Sequence, residues 1–284
     1  MENWWEEMLH GGFQLRLRVD KLLHETKSQF QHLMLFENEL FGRVLTLDGV
    51  IQTTERDEFI YHEMLSHTPI LAHGNARNVL IIGGGDGGML RRALMHSGIE
   101  CVVVVEIDAS VIDFCKRYLP SICGDAFEDP RTEVIVDDGA RYVAECDRKF
   151  DVIIVDSPDP VGPAEVLFER EFYTRCKSCL AVGGVVVTQN GVPFLQGPEL
   201  SSSVGLLRSM FADATCFLAP VPTYAGGFMA FGWASDDVSL RPVAVETLID
   251  RFRNANLKTR YYTPEIHKAA FALPPYIEAL AAPA

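Results

Sequence analysis

Four short apolar runs in this chain of 284 residues each end in acid. Val79–Ile82 leads into Gly83-Gly84-Gly85-Asp86-Gly87-Gly88, and Val102–Val105 into Glu106-Ile107-Asp108. Val134–Val136 leads into Asp137-Asp138-Gly139, and Val152–Val155 into Asp156-Ser157-Pro158-Asp159-Pro160. The glycines permit a tight turn and a close approach of ligand to backbone. Gly83, Gly85 and Gly88 formally match G-x-G-x-x-G, a weak dinucleotide signal by itself. Asp86 argues against a dinucleotide, because a carboxylate beside a pyrophosphate is a like-charge contact in a partly dehydrated site. Glu106 stands where an acidic side chain can accept hydrogen bonds from two ribose hydroxyls. Asp138 and the adjacent backbone can read an adenine edge, although Asp before Gly also makes ordinary turns. Together these residues describe a pocket for a nucleoside without phosphates, and an adenosyl sulfonium fits. Asp86, Asp156 and Asp159 should converge at one sheet edge and repel one another unless cations compensate. With no Lys or Arg directly beside them in sequence, the substrate is expected to supply the positive charge.

The elements that must position these residues follow from patterning. Short β-branched runs (the four above and Val185–Thr188) alternate with helical stretches at Met89–His96, Ser110–Leu119, Arg141–Glu145 and Glu171–Leu180. Alternating strand and helix with near-continuous apolar strands predicts an α/β fold with a parallel sheet covered on both faces. Ligands then bind beyond the carboxyl ends of the strands. Glu58 to Leu71 reads as a helix with apolar and polar faces. Before it, residues 1–57 read as a small β-rich lobe, with Leu33–Phe36 a strand and Val44–Leu47 and Val50–Thr53 a hairpin about Asp48-Gly49. That lobe is too small to bury much core alone, so it should pack on residues 58–284 or on another subunit.

Many ordered motifs in this chain resemble those of the polyamine aminopropyltransferases, in their bacterial spermidine synthase branch. The resemblance runs through Phe41-Gly42-Arg43-Val44, Leu47-Asp48-Gly49-Val50, Gln52 to Phe59, Tyr61-His62-Glu63-Met64 and the Gly83–Gly88 turn. It continues through Val105 to Asp108, Asp137-Asp138-Gly139, Asp159 to Pro163, Pro222-Thr223-Tyr224 and Phe271-Ala272-Leu273-Pro274. It implies a Rossmann-like, methyltransferase-type doubly wound sheet with a small N-terminal β-rich domain. It also implies transfer of an aminopropyl group from decarboxylated S-adenosylmethionine to putrescine, giving spermidine and methylthioadenosine. By motif, Asp156 resembles the catalytic proton acceptor. Tyr61, His62, Asp86, Ser157, Pro158, Asp159 and Tyr224 fall at the polyamine or aminopropyl amine. Gln31, Gly83, Gly85, Asp86, Glu106, Asp138, Gly139 and Pro163 fall on the nucleoside side. Pro158 departs from the family, which commonly has Ser or Thr between the two aspartates, and leaves amine preference open. The resemblance further implies a homodimer or homotetramer with no prosthetic group and no metal.

On this reading Asp86 holds the aminopropyl amine, and its charge rejects the carboxylate of ordinary S-adenosylmethionine. Tyr61 and Tyr224 line the carbon chain of the diamine and offer hydroxyls. A Glu within 55–63 anchors the distal ammonium. Composition sets the outer limits. Asp and Glu total 39 against 25 Lys and Arg, a net charge of −14, which disfavours nucleic acid. No apolar run is long enough to span a bilayer, and the acidic start, Met-Glu-Asn-Trp-Trp-Glu-Glu, is unlike a secretory signal. A cytoplasmic location is expected, with seven reduced cysteines, Cys176 and Cys179 among them as half-buried helix residues. Alternatives are an aminopropyltransferase using another amine such as cadaverine, an S-adenosylmethionine-dependent methyltransferase, a polyamine-binding sensor and, more distantly, a nicotinamide dehydrogenase.

Overall fold

A computed structural model describes residues 3–160 and 162–282, with the side chains of Leu9, Gly162 and Pro163 outside that description. The N-terminal lobe carries two antiparallel sheets. Strands β1 (Trp4–His10) and β2 (Phe13–Arg18) form one; β3 (Lys21–Lys27), β4 (His32–Asn38), β5 (Gly42–Leu47) and β6 (Val50–Thr54) form the other in chain order. Asp48 and Gly49 turn β5 into β6 with φ of 48° and 80°, and Leu47 pairs with Val50. Two left-handed residues in a two-residue loop match the twist of the flanking strands.

The rest of the chain alternates helix and strand: α1 (Glu58–His73), β7 (Asn78–Gly83), α2 (Gly88–Leu94), β8 (Cys101–Glu106), α3 (Ala109–Tyr118), α4 (Pro120–Cys123), β9 (Thr132–Val136), α5 (Gly139–Glu145) and β10 (Phe150–Asp156). It continues with α6 (Arg170–Cys179), β11 (Leu180–Gln189), α7 (Gly197–Met210), β12 (Asp213–Ala219), β13 (Met229–Ser235), α8 (Val245–Asn254), α9 (Pro264–Ala270) and α10 (Pro275–Ala281). The seven strands lie in the order β12-β13-β11-β10-β7-β8-β9. The five expected strands run parallel. β12 and β13 were not expected, and both pairings that β13 makes are antiparallel, so the sheet is mixed rather than parallel. β13 reads Met-Ala-Phe-Gly-Trp-Ala-Ser and is buried along its whole length, so it shows neither β-branched enrichment nor alternation.

Helix α1 also differs from expectation. Every residue from Ile60 to Ala72 is buried, so it has no solvent face; His62 and Glu63 find partners inside the protein, whereas the hydroxyls of Ser66 and Thr68 have none among the described residues. The N-terminal lobe packs on the larger one as expected: Leu33, Leu35 and Leu45 share a core with Val111 and Phe114 of α3. Cys176 and Cys179 are fully rather than half buried, and all seven cysteines are free.

Candidate active site

A cavity of about 370 Å³ lies between the two lobes, over the carboxyl ends of β7, β8 and β10. Asp86, Glu106, Asp138, Asp156 and Asp159 all line it, as do Gln31, Gly83, Gly85, Gly139, Tyr61, His62, Ser157, Pro158 and Tyr224. A parallel sheet forces this convergence, since every strand running the same way delivers its terminal residue to one edge. Pro163 lies in the short turn Gly162–Phe168, and its expected contact falls outside the described side chains.

The glycine turn is shaped by the protein's own backbone and side chains. Gly83 has φ of 84°, and a Cβ there would stand 2.1 Å from the Asp156 carbonyl oxygen. At Gly85 a Cβ would stand 2.9 Å from Glu106 Oε2, and at Gly88 one would stand 2.2 Å from His62 Cε1. The bare backbone lets Glu106 and His62 close on the turn.

Two adjacent residues of α1 meet two aspartates. The Tyr61 hydroxyl donates to Asp156 Oδ1 at 2.7 Å. His62 Nε2 lies 3.3 Å from Asp86 Oδ2, while its Nδ1 lies 2.8 Å from Glu58 Oε2. Gly88 N–H donates to Asp86 Oδ1 at 2.8 Å. Burial alone would push the His62 imidazole down, but Asp86 and Glu58 outweigh it and push it up to about 10. Burial pushes Asp86 up, yet the His62 charge and hydrogen bond, with the Gly88 N–H, bring it below the ordinary carboxylate value. Asp156 receives less help. Burial and the Asp86 charge raise it to about 6 against the opposing influence of His62 and Tyr61. The charge balance therefore differs from expectation. His62 supplies a cation, and Arg92, six residues beyond Asp86 in the chain, reaches the site through Glu58 at 3.0 Å.

At the end of β8, burial raises Glu106 to about 7, although the Asp108 N–H donates to its Oε1 at 3.0 Å. Asp138 caps α5, its Oδ1 accepting from Ala140 N–H at 2.7 Å. Gln31 reaches across from the N-terminal lobe and donates to Asp108 Oδ2 at 3.1 Å, beside a Ser28 hydroxyl bond to the same oxygen at 2.6 Å. These contacts fix the Gln31 amide at the cavity wall.

At the other end, Asp159 Oδ1 accepts from Gln189 Nε2 at 3.1 Å. The hydroxyls of Tyr61 and Tyr224 are not spare donors, because Tyr224 donates to the Gln52 carbonyl at 2.5 Å. Their oxygens retain lone pairs, and their rings meet edge to face at 5.9 Å. The Ser157 hydroxyl is buried without a partner among the described residues. No Glu of the 55–63 stretch lines the cavity. Glu55 accepts from Arg43 N–H, Glu58 pairs with Arg92 and His62, and Glu63 accepts from the N–H groups of Arg260, Tyr261 and Tyr262. Glu7 of β1 stands there instead, accepting from Ile51 N–H at 2.9 Å. Burial raises its pKa, the Ile51 N–H lowers it, and the Asp159 charge raises it further. Composition offered no signal for Glu7, which is 79 residues from the glycine turn's Asp86 in sequence. Asp57 also went unassigned. It accepts from Thr223 N–H at 2.9 Å and so ties the segment carrying Tyr224 to the start of α1. Among the described residues no group of three or more His, Cys, Asp or Glu could hold a metal ion.

Comparison with known proteins agrees over both lobes. The family profile described as the spermine/spermidine synthase domain matches residues 58–242, and that described as the spermidine synthase tetramerisation domain matches residues 3–55. The chain is 54% identical over 279 residues to a polyamine aminopropyltransferase of Ruegeria sp. (strain TM1040), covering 98% of each chain. It is 53% identical over 273 residues to polyamine aminopropyltransferase 1 of Pseudomonas aeruginosa, covering 96% of each. A crystal structure of spermidine synthase in complex with the transition-state analogue AdoDATO superposes with a TM-score of 0.93 at 35% identity, over 98% of this chain and 94% of that one. The spermidine synthase of Thermotoga maritima superposes with a TM-score of 0.90 at 34% identity, over the same shares. With its fold and 96–98% of its length matched to these proteins, the chain belongs to the spermine/spermidine synthase family of polyamine aminopropyltransferases.

Proposed function

We propose that this enzyme transfers the aminopropyl group of decarboxylated S-adenosylmethionine to putrescine, with Asp156 as proton acceptor. The observation that carries this reading is the wall shared by Asp86 and Asp156: one carboxylate paired with a cation, the other raised and bonded only to a tyrosine hydroxyl among the described side chains. Glu106 takes the ribose hydroxyls, and Asp138, Gly139 and Gln31 border the base. Asp86 takes the ammonium of the aminopropyl arm. Asp159 and Glu7 take the far ammonium of the diamine, whose chain lies along the rings of Tyr61 and Tyr224.

A diamine nitrogen resembling lysine, with a pKa near about 10.4, is protonated at neutral pH. Asp156 accepts its proton, and the freed lone pair attacks the aminopropyl carbon bonded to sulfur. The new N–C bond forms as the C–S bond breaks. The bonding pair goes to sulfur, which leaves as the neutral thioether methylthioadenosine. Raising Asp156 toward neutrality narrows the gap between acceptor and ammonium, while fixed placement of both reactants supplies the orientation. The negative cavity stabilises the cations that enter it.

The family match at residues 3–55 supports assembly as a homodimer or homotetramer, and the two matches support a division at residues 1–57 and 58–284. Seven free cysteines suit a cytoplasmic setting. Mass spectrometry of the products from putrescine, cadaverine and longer amines, each with decarboxylated and ordinary S-adenosylmethionine, tests the reading. Spermidine and methylthioadenosine from the decarboxylated form are expected. Methyl transfer without aminopropyl transfer would overturn it.

A further inference from the structure

Four charges stand in line inward from the cavity wall, and all but Asp86 are buried. Arg92 of α2 donates through Nη2 to both oxygens of Glu58, at 3.0 and 3.2 Å. Glu58, the first residue of α1, meets His62 Nδ1, and His62 Nε2 meets Asp86. Glu58 and Arg92 are each 7% exposed and His62 3%. The signs alternate from positive Arg92 to negative Asp86, so each charge is compensated by its neighbour. Removing one member would leave the next unpaired in a dry site.

We propose that Glu58 and Arg92 are positioning residues for the cosubstrate, acting through His62 to keep Asp86 an oriented anion facing the aminopropyl ammonium. The proposal rests on the assignment of Asp86 to that ammonium made above. Its geometric basis is the two ring nitrogens of His62. A neutral imidazole has one N–H, whereas a ring flanked by a carboxylate at each nitrogen uses two. Glu58 is the second carboxylate, and Arg92 Nη2, bonded to both of its oxygens, places the opposite charge beside it. The ring cannot swing aside, because it lies against the bare backbone of Gly88, where a Cβ would meet its Cε1 at 2.2 Å. Both Asp86 oxygens are thereby held, Oδ2 by His62 and Oδ1 by Gly88 N–H. Arg92 and Gly88 sit on one short helix that begins two residues after Asp86. Other ionisable neighbours are Asp156, which feels the His62 charge, Tyr61, whose ring lies 5.5 Å from the imidazole, His67, which lies toward Arg92, and Tyr224, Cys115 and Cys123, which feel the Asp86 charge.

The test uses Glu58→Gln, Arg92→Met and the double variant, which removes the remote pair without stranding a buried charge and so keeps the question answerable if a single variant fails to fold. The expected result is a rise of about tenfold in KM for decarboxylated S-adenosylmethionine, with KM for putrescine little changed and recovery in Arg92→Lys. Imidazole ¹⁵N spectra should show two protonated ring nitrogens on His62 at pH 7.5 in the parent enzyme and one in Glu58→Gln. Asp86→Asn is measured alongside. If it raises the cosubstrate KM while the folded double variant does not, the positioning role is wrong. If Asp86→Asn leaves that KM alone, the assignment of Asp86 itself is wrong and the positioning role falls with it.

Discussion

Asp86 and Asp156 are the same residue type in the same wall, held by consecutive residues of one helix, yet their surroundings push them in opposite directions. His62 is a cation against Asp86 and keeps it ionised. Tyr61 brings Asp156 a neutral hydroxyl, and burial with the Asp86 charge raises it to about 6. Two carboxylates so close cannot both ionise freely unless one is compensated. The enzyme compensates one, and the contrast suits the first to hold an ammonium and the second to take a proton.

Removing the proposed proton acceptor should have the largest effect. Asp156→Asn should lower kcat by about 10²–10⁴-fold in steady-state assays. Its thermal midpoint should hold or rise, because a carboxyl raised by burial opposes folding once ionised. A fall of less than tenfold would reduce Asp156 to an amine-binding group. Asp86→Asn should raise KM for the cosubstrate by roughly tenfold to a hundredfold. It should also destabilise the fold by about 1–3 kcal/mol in denaturant melts, since His62 loses a charged partner. Equal effects of the two Asn variants on KM and kcat would erase the contrast.

Gly88→Ala probes the same difference sterically. Its Cβ drives into the His62 ring, and a cost of about 1–3 kcal/mol with weaker cosubstrate binding is expected. A structure of that variant should show Tyr61 and Asp156 unmoved. The subtlest effect concerns pH. With Asp156 as the proposed proton acceptor its ionised form is the competent one, so kcat/KM should fall as pH drops through about 6. Tyr61→Phe removes a hydrogen bond that lowers the Asp156 pKa and should move that limb upward by about one unit. Movement to lower pH would mean that another group governs the limb.

Much of this site was legible because it is local. A strand end and the residues after it are contiguous, so Asp86, Glu106, Asp138 and Asp156 could be marked from four apolar runs and their acidic ends. The Asp48-Gly49 hairpin was legible for the same reason. What was missed is non-local or has no pattern. β13 is buried on every side and carries no period. α1 reads as having a polar face toward solvent, but its His62, Glu58 and Glu63 are met instead by Asp86, Arg92 and the backbone near Tyr262. Glu7 arrives from a strand at the far end of the other lobe.

By itself the sequence determined that acid would gather at one sheet edge, because parallel strands leave no other place for those residues. It determined that the turn there must be glycine, though not which side chains would press on it. Only the tertiary structure decided how the negative charge is divided. Ionisation in a buried cavity depends on what lies within a few ångströms, and His62 comes within that reach of Asp86, and Arg92 of Glu58, only when α1 folds across α2.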